Sequence, residues 1–529
     1  MSTGFDLKSA AESMGEAVAE MNQTDKINFE AKQAGTDTRD DSTDSAVDEI
    51  ASPPLRHGRA HAKDGRPKKP KAESKLATVV RQWLDNVLPT LPDPSPWAVG
   101  SVSLMDRNTE TLVAQAPKRW VVYEPMVLLP TGSFSTRAEI SVSRTETSSA
   151  RLLTSPAPLG WPDLLAAVSR EQQDQLWRGI LLALSPKGAS GVRHAQLTHL
   201  AVNEGIPPQN VQGGDNENIL RSPTGLRPLY GDFGPAATLA GGPPTDADFE
   251  RAFWVSTKQN GLYQTWAPRW SMFSRGNIKE KARLLAWSRT ACEETTGAWA
   301  VDLYAGIGYF VFSYAQRGLR VLGWELNPWS AEALRRGAVR NGWSVRVVRR
   351  DVDLARPTAE AVFSGRYFDE GNSAKTVDKD KHDKPPVIVI FVEDNQHAAR
   401  RLSGELQAFT ASLPAALSAE TFGPVVHVNC GLLPTSRPTW QIAWAAIVGG
   451  ADRETSTAPR TGWMHLHDNV GVEELASRQA EIQALVTAWA GEVAETRQCI
   501  CTAVVEHVEQ VKTFAPGVWH CVFDVRITI

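Results

Sequence analysis

Two glycines one residue apart, preceded by an acid, form the part of the sequence that is best suited to bind a nucleoside. The acid is Asp302, which lies in an apolar run from Trp299 to Leu303, and the glycines are Gly306 and Gly308. Glycine permits unusual backbone angles, and its missing side chain lets a ligand approach the backbone closely. A helical pattern follows, and the first residues of a helix carry unpaired N–H groups that bind polar or anionic ligands. The pattern predicts a strand, a tight turn and a helix around a small-molecule site.

A second carboxylate follows the next apolar run. That run extends from Leu319 to Trp324 and closes on Glu325, where a carboxylate can accept both hydroxyl groups of a ribose. The segments together form one βαβ unit, the arrangement that binds nucleosides in doubly wound sheets. A glycine turn alone occurs in many α/β folds, but the two acids favour a nucleoside. Val311 stands where a dinucleotide motif has its third glycine, so the sequence favours S-adenosylmethionine (SAM) over a dinucleotide.

A third apolar run, Val387 to Val392, is typical of a buried parallel strand. It ends at Glu393, Asp394, Asn395 and Gln396, and side chains at the carboxyl end of such a strand lie where open α/β sheets bind ligands. Asp394 and Asn395 suit an adenine amino group and ring nitrogen. The alternative is that they cap the following helix, and both roles can hold together.

The segment before the glycine motif predicts a hairpin and then a helix. Asn260 and Gly261 form a type I′ turn signal between two alternating strands. Asn277, with Glu280 three residues later, predicts a capping box at a helix start. From the residues alone, Ser274 is expected to be a turn residue and Lys281 to lie on a solvated helix face.

Length and composition set the outline of the protein. At 529 residues the chain exceeds one typical domain, and its net charge of −4 neither demands nor excludes a nucleic-acid partner. Five scattered cysteines favour a reducing, cytoplasmic compartment. No stretch predicts a secretion signal, a presequence or a membrane span. His465 and His467 share a strand face, but no third ligand is placed near them, so no metal is expected.

The chain divides into three parts. The composition of residues 1–75 predicts a disordered tail. Its acidic block at 36–49 and its basic block at 56–75 indicate either a solvated segment, or a segment that tethers RNA or serves as a nuclear localisation signal. Residues 76–250 predict a smaller α+β domain, with strands at 120–129 and 138–142. Residues 251–529 predict the catalytic domain, with a surface insertion at 351–386 and a C-terminal antiparallel hairpin.

Six arginines near the sheet are expected to form either an RNA-binding cluster or a solvated helix face, and the sequence leaves both open. They are Arg335, Arg336, Arg340, Arg346, Arg349 and Arg350.

With these motifs in place, the chain from about Thr198 onward resembles the tRNA wybutosine-synthesising protein 2 family, a relative of the tRNA guanine-37 N1-methyltransferases. The segments that carry the resemblance are 272–281, 302–310, 325–328, 393–395, 429–434, 465–470 and 515–520. The resemblance implies a class I SAM-methyltransferase-like Rossmann domain after a smaller α+β domain. It implies transfer of the 3-amino-3-carboxypropyl group of SAM to C7 of 4-demethylwyosine at position 37 of tRNA-Phe, with release of methylthioadenosine.

The same resemblance assigns SAM contacts to Ser274, Lys281, Glu325, Asp394 and Asn395, and so replaces the solvated role expected for Lys281. Asp302, Gly306 and Gly308 complete the expected site, with no metal. The chain departs from the family in its long tail, in its 351–386 insertion and in Gln396, which stands where members often have arginine. A monomer that binds the anticodon loop of tRNA-Phe is expected.

The base that removes the C7 proton is left open. Asp394 and His427 are the candidates, and solvent can suffice. Asp394 is preferred to Asp351 as a ligand residue because the strand before Asp394 has a buried pattern.

Two other functions are considered. Guanine-37 N1-methylation uses the same scaffold, but Gly431 to Pro434 replaces the Asn-Leu-Pro-type motif of those enzymes. A non-catalytic RNA-binding scaffold with a relic SAM pocket is disfavoured by the intact Gly306, Gly308 and Glu325.

Overall fold

The computed structural model describes most of the chain from Glu73 to Ile529. The described residues are 73–91, 109–135, 160–185, 196–203, 223, 225–287, 297–356, 358–363, 387–406, 423–449 and 459–529. The predicted tail up to residue 72, the predicted strand at 138–142 and the later part of the expected insertion, 364–386, lie outside these ranges. Among the helices of the described ranges, none is both long enough and apolar enough to cross a bilayer.

The amino-terminal part contains a four-stranded sheet covered by helices. Its strands, in the spatial order β1-β2-β3-β4, are β1 (Val121–Tyr123), β2 (Met126–Leu129), β3 (His199–Asn203) and β4 (Leu226–Tyr230). The helices are α1 (Lys75–Val87), α2 (Trp161–Ala167) and α3 (Arg170–Leu184). Leu76, Val80 and Trp161 of these helices share one buried core with Val127 and Leu200 of the sheet. This confirms the predicted α+β character of the region.

A separate hairpin follows the short helix α4 (Asp246–Arg251). Strands β5 (Val255–Gln259) and β6 (Leu262–Trp266) pair antiparallel, and the turn between them has positive φ at both Asn260 (51°) and Gly261 (82°). Positive φ at both central residues defines the type I′ turn, so the sequence prediction is confirmed.

The largest element is an eight-stranded sheet with the order β13-β14-β12-β11-β7-β8-β10-β9. Its strands are β7 (Trp299–Asp302), β8 (Arg320–Trp324), β9 (Val345–Val348), β10 (Ile388–Phe391), β11 (Val425–Cys430), β12 (Thr461–Gly471), β13 (Thr502–Ala515) and β14 (Val518–Thr528). All pairings from β12 through β9 are parallel, whereas β14 runs antiparallel to β12 and β13. All residues of β7 and β10 are buried, as expected for strands covered on both faces. The predicted terminal hairpin is β13–β14.

The helices of this part connect and cover the strands. They are α5 (Ile278–Leu285), α6 (Val311–Gln316), α7 (Pro328–Arg340), α8 (Asp351–Leu354), α9 (Thr358–Phe363), α10 (Trp440–Val448) and α11 (Leu475–Arg497). Asn327 caps α7 by accepting a hydrogen bond of 2.9 Å from the N–H of Trp329, and Gly342, with φ of +87°, follows the helix. Asparagine before a helix and glycine after it are the residue types that favour such a start and end.

The chain order creates a switch point at β7. From β7 the chain continues to β8, β9 and β10 on one side, and then crosses to β11 and β12 on the other. Open α/β sheets bind ligands beyond the carboxyl ends of their strands at such a point. Asp302, Glu325, Asp394 and Gly431 all stand at or just after the carboxyl ends of these parallel strands.

One local expectation, the capping box at Asn277, is wrong. Asn277 precedes α5 without a side-chain cap, because Glu280 is buried against Arg283 instead of reaching back to the helix start. The segment 351–386, expected to be a surface insertion, contains α8 and α9, and Ala359 and Val362 of α9 are buried in the core of the large sheet. Residues 358–363 are therefore part of the packed structure.

Candidate nucleoside site

The glycine turn after β7 is held open by backbone conformations that favour glycine. Gly306 has φ of +54° and Gly308 has φ of +92°. Asp302, at the end of the strand, accepts hydrogen bonds at Oδ1 from the N–H of Tyr304 (3.1 Å) and from Nδ2 of Asn429 (3.3 Å). Burial raises the pKa of Asp302 to about 7. Its second oxygen, Oδ2, is buried and has no partner among the described residues.

Glu325 at the end of β8 binds the glycine turn directly. Its Oε2 accepts a hydrogen bond of 2.8 Å from the N–H of Gly306, and its Oε1 accepts one of 2.8 Å from the N–H of Asn327. Removal from water raises the pKa of Glu325 to about 7, because the two backbone donors offset only part of the cost of burying the charge. The carboxylate is thus fixed beside the turn.

Asp394 and Asn395 lie on the same edge of the sheet as Glu325. The N–H of Glu325 donates to the carbonyl of Phe391 at 3.1 Å, which joins the ends of β8 and β10. Asp394 accepts a hydrogen bond of 2.9 Å from the N–H of Gln396, so it caps the short 3-10 helix that follows. Asn395 donates from Nδ2 to the carbonyl of Leu303 at 2.9 Å. This bond joins the end of β10 to the residue that follows β7, before the glycine turn.

Ser274 and Lys281 reach the same region from a different element. The phenol of Tyr309, in the glycine turn, accepts a hydrogen bond of 2.9 Å from the N–H of Ser274 and donates one of 2.7 Å to the carbonyl of Met272. Through this side chain the segment that leads into α5 is joined to the turn. Ser274 and Lys281 therefore both lie next to Tyr309 of the glycine turn.

Lys281 is buried without a counter-ion among the described residues. Its Nζ donates to Oε1 of Gln259 and lies 5.4 Å and 5.6 Å from the ring centres of Phe273 and Tyr309. Burial alone lowers the pKa of Lys281 to about 8. A buried ammonium that faces aromatic rings and one amide oxygen is an incomplete site that an anion would complete.

His427, one of the two candidate bases, is not brought to this site. It is fully buried within β11, where its Nδ1 lies 2.9 Å from Nε2 of His465 and its Nε2 lies 3.3 Å from Nη1 of Arg317. His465 in turn contacts Asp524 at 2.6 Å. His427 thus belongs to a buried polar chain that lies within the sheet, away from the strand ends.

Three residues of the site were missed by sequence reasoning. Tyr309 joins two segments, Gln259 binds Lys281, and Asn429 binds Asp302. Tyr309 lies inside the glycine motif and Gln259 lies directly before the Asn-Gly turn. Their positions in these motifs could have marked them as candidate site residues. The partners themselves come from distant parts of the chain.

The six arginines bind groups of the chain itself. Their partners are Glu332 for Arg335, Glu332 and Glu250 for Arg336, Ser256 for Arg340, the Ala361 carbonyl for Arg346, Asp246 for Arg349 and Asp353 for Arg350. These contacts favour a structural role over a free basic surface.

Several curated proteins are similar to this chain. No family model matches it. It is 37% identical over 335 residues to tRNA wybutosine-synthesizing protein 2 of Schizosaccharomyces pombe, a match that covers 63% of this chain and 62% of the relative. The protein of the same name from Saccharomyces cerevisiae is 31% identical over 373 residues, with 67% and 66% covered. The chain thus spans less than two thirds of the length of either relative.

Two solved structures that match the chain share little sequence with it, and both have TM-scores below 0.5. M. jannaschii TYW2 in complex with AdoMet is 17% identical with a TM-score of 0.34, and the match covers 57% of this chain and 90% of that one. P. horikoshii TYW2 in complex with MeSAdo is 14% identical with a TM-score of 0.39, with 84% and 98% covered.

The strand order, the glycine turn and the acids at the strand ends define the class I methyltransferase-like Rossmann fold, closed by an antiparallel hairpin. Curated relatives at 37% and 31% identity carry one name, and the chain is a homologue of tRNA wybutosine-synthesizing protein 2.

Proposed function

We propose that this protein transfers the 3-amino-3-carboxypropyl group of SAM to C7 of 4-demethylwyosine at position 37 of tRNA-Phe and releases methylthioadenosine. The observation that carries the proposal is the buried Lys281. Its ammonium has no carboxylate partner among the described residues and lies beside the turn to which Glu325 is bound. A nucleoside that bears an amino-acid chain matches both features, and the S. pombe and S. cerevisiae relatives support the substrate.

The side chains at these strand ends fit SAM. Asp302 and Asn429, at the carboxyl ends of β7 and β11, each have a buried oxygen without a hydrogen-bond donor among the described residues. A ligand that donates hydrogen bonds would satisfy both. In the proposal, Glu325 accepts the ribose hydroxyls, Asp394 and Asn395 bind the adenine, and Gly306 and Gly308 let the nucleoside approach the backbone. The SAM sulfonium supplies the activation, since it makes the adjacent carbons electrophilic.

Lys281 and Ser274 would set which carbon reacts. We propose that Lys281 binds the carboxylate of the amino-acid half as a charge-assisted pair, with Ser274 beside it. Holding this half fixes the methylene next to sulfur, and not the methyl group, toward the acceptor. The chain then accelerates transfer mainly by positioning, which requires no enzyme nucleophile. Asp394 stays the proposed candidate for the base, with solvent as the alternative.

The proposal extends to the setting in which the protein acts. The acceptor would be the splayed base of the anticodon loop, which proteins recognise by stacking and by phosphate contacts. Among the described cysteines, Cys430, Cys499, Cys501 and Cys521 are free, which supports a reducing, cytoplasmic compartment. We propose a monomer, which light scattering of the purified protein tests.

The deciding experiment is mass spectrometry of nucleosides from tRNA-Phe that carries 4-demethylwyosine, incubated with the protein and SAM. We expect an aminocarboxypropyl adduct and an equal amount of methylthioadenosine. A methyl adduct on guanine-37 of unmodified tRNA, with release of S-adenosylhomocysteine, would replace the proposal by N1-methylation. Binding of tRNA with no product in either case would indicate a non-catalytic scaffold.

A further inference from the structure

A second lysine without a counter-ion lies on the terminal hairpin. Lys512 of β13 is half-buried, and among the described residues it has no carboxylate or hydrogen-bond partner. Burial alone lowers the pKa of Lys512. The cost of removing this charge from water is therefore not offset by any group that the structure describes.

The side chain of Lys512 lies directly on the segment that carries Ser274 and Lys281. A methyl group added at Gly276 would come within 2.7 Å of Cδ and 3.0 Å of Cε of Lys512, and would meet its Nζ as well. The long side chain thus covers the backbone of Gly276, in the short 3-10 helix Arg275–Asn277 before α5. The terminal hairpin is thus in direct contact with this segment.

A pair of buried imidazoles lies next to Lys512. His520 is the cross-strand neighbour of Lys512, and its Nε2 lies 2.9 Å from Nδ1 of His467. The outer nitrogens, Nδ1 of His520 and Nε2 of His467, are buried and have no partner among the described residues. Burial, together with the charge of Lys512, lowers the pKa of His520 to about 4, so this imidazole is neutral at pH 7.

The imidazole pair has a tautomer that suits an anion. In this tautomer, Nδ1–H of His467 donates a hydrogen bond to Nε2 of His520, and His520 therefore carries its own proton on Nδ1. That N–H is then a buried donor with no partner among the described residues, on the residue that pairs across the strands with Lys512. The opposite tautomer presents a lone pair there, so an anion selects the first.

We propose that Lys512 and His520 form an anion site that binds a backbone phosphate of the RNA next to the acceptor nucleotide; this inference rests on the proposed function. The site adjoins the nucleoside site and is not within it, because Lys512 covers Gly276, two residues from Ser274, while β13 itself is four strands from β7. The nucleoside binds over β7, β8 and β10 in the proposal, so the RNA approaches from the side of the hairpin. Every nucleotide next to the acceptor brings one phosphate.

The test compares the tRNA affinity of matched variants across a range of KCl concentrations, with tRNA-Phe carrying 4-demethylwyosine as the probe. K512M should weaken binding roughly five- to tenfold at low salt and reduce the slope of log affinity against log salt by about 0.7 to 1. K512R should keep most of the affinity. The control K258M removes an equal charge from an exposed lysine on β5 and should change affinity less than about twofold.

Gly276 offers a second variant that leaves the charge in place. G276A should displace the Lys512 side chain and weaken tRNA binding in the same way, yet add nothing further in the K512M background. H520Q should also weaken tRNA binding, by less than K512M. The SAM affinity of K512M and H520Q, measured by calorimetry, should equal that of the wild type.

Two outcomes would overturn the inference while leaving the proposed function intact. One is wild-type tRNA affinity and salt slope in a K512M protein whose melting temperature is unchanged. The other is weaker SAM binding by K512M with unchanged tRNA binding, which would assign the site to the carboxylate of SAM. If the wild-type protein itself neither binds nor modifies this tRNA, the proposed function fails first, and the anion site fails with it.

Discussion

The carboxylate of Glu325 accepts a hydrogen bond of 2.8 Å from the backbone N–H of Gly306, so the end of β8 fixes the turn that follows β7. The second oxygen of the same carboxylate accepts from the N–H of Asn327. Glu325 therefore accepts one hydrogen bond at each of its two oxygens and holds the turn through the one from Gly306. This relationship makes Glu325 the residue on which nucleoside binding should depend most strongly.

Replacing Glu325 by glutamine should raise the Kd for SAM roughly 10- to 100-fold, because charge-assisted hydrogen bonds contribute about 1.5–3 kcal/mol. The amide keeps one acceptor, but its NH2 group faces a backbone donor. Calorimetry with SAM measures the effect. Glu473→Gln, on an exposed 3-10 helix, is the matched control and should bind normally. Wild-type affinity in E325Q would rule out this role for the carboxylate.

The affinity for SAM should fall as the pH rises above about 8. Burial lowers the pKa of Lys281 to about 8, so above that pH the free protein has lost the ammonium that the carboxylate needs, and binding must take up a proton. Below about 8 the lysine is already charged, and its contribution is constant. Titration calorimetry from pH 7 to 9.5 measures the dependence.

Two controls isolate Lys281 in this pH series. The variant Lys281→Arg stays charged throughout and should flatten the decline. Methylthioadenosine lacks the amino-acid half, so its affinity for the wild-type protein should not change above pH 8. An equal decline for both ligands would show that another group causes it.

Sequence patterns predicted the nucleoside half of the candidate site, because its signals are local. Gly306 and Gly308 form a short motif, while Glu325 and Asp394 follow apolar runs that identify strand ends. Parallel pairing then places those ends on one edge, as β8 and β10 show. Each step needs only residues that are neighbours in the chain.

The other half required more than local pattern. The local sequence predicted a solvated Lys281, and only the family resemblance assigned it a SAM contact. It is buried because Gln259, Phe273 and Tyr309 from three segments surround it. The predicted capping box failed for a similar reason: Arg283 joins Glu280 to Asp524, a residue 241 positions away from Arg283. No local sequence pattern predicts partners that are so distant in the chain.

Replacing Gly308 by alanine should destabilise the protein by roughly 2–5 kcal/mol, because two costs add. The backbone at Gly308 has φ of +92°, and a Cβ there would lie 2.5 Å from the ring of Phe312. Gly342 allows the cost of backbone strain to be measured without the cost of the clash. Its φ is +87°, but a Cβ there would have no heavy atom within 4 Å. G342A should therefore cost only about 1 kcal/mol.

Chemical denaturation of both glycine variants measures these differences. A similar loss in G308A and G342A would mean that Phe312 moves aside easily and that backbone strain is the whole effect. A larger loss in G308A would be relieved by Phe312→Ala in the same chain, since the smaller side chain removes the clash but not the strain.

Replacing Arg283 by methionine should destabilise the protein by about 3–5 kcal/mol near pH 8. Arg283 donates to Glu280 at 2.7 Å and to Asp524 at 2.6 Å, and both carboxylate side chains are fully buried. Without the guanidinium, two buried negative charges stay close together with no cation between them. Arg526→Met removes an exposed pair with Glu506 and should cost less than about 1 kcal/mol.

The pH dependence of the R283M deficit distinguishes lost charge pairing from lost packing. In the variant, the pKa of Glu280, which burial already raises in the wild type, should rise further, and the lowered pKa of Asp524 should rise because only His465 then still offsets its burial. Carboxyl groups with raised folded pKa values lose stability as the pH rises, so the deficit should be smaller at pH 5 than at pH 8. An equal deficit at both pH values would instead attribute the loss to the packing of the Arg283 side chain on Trp287, which lies 5.0 Å from the guanidinium carbon.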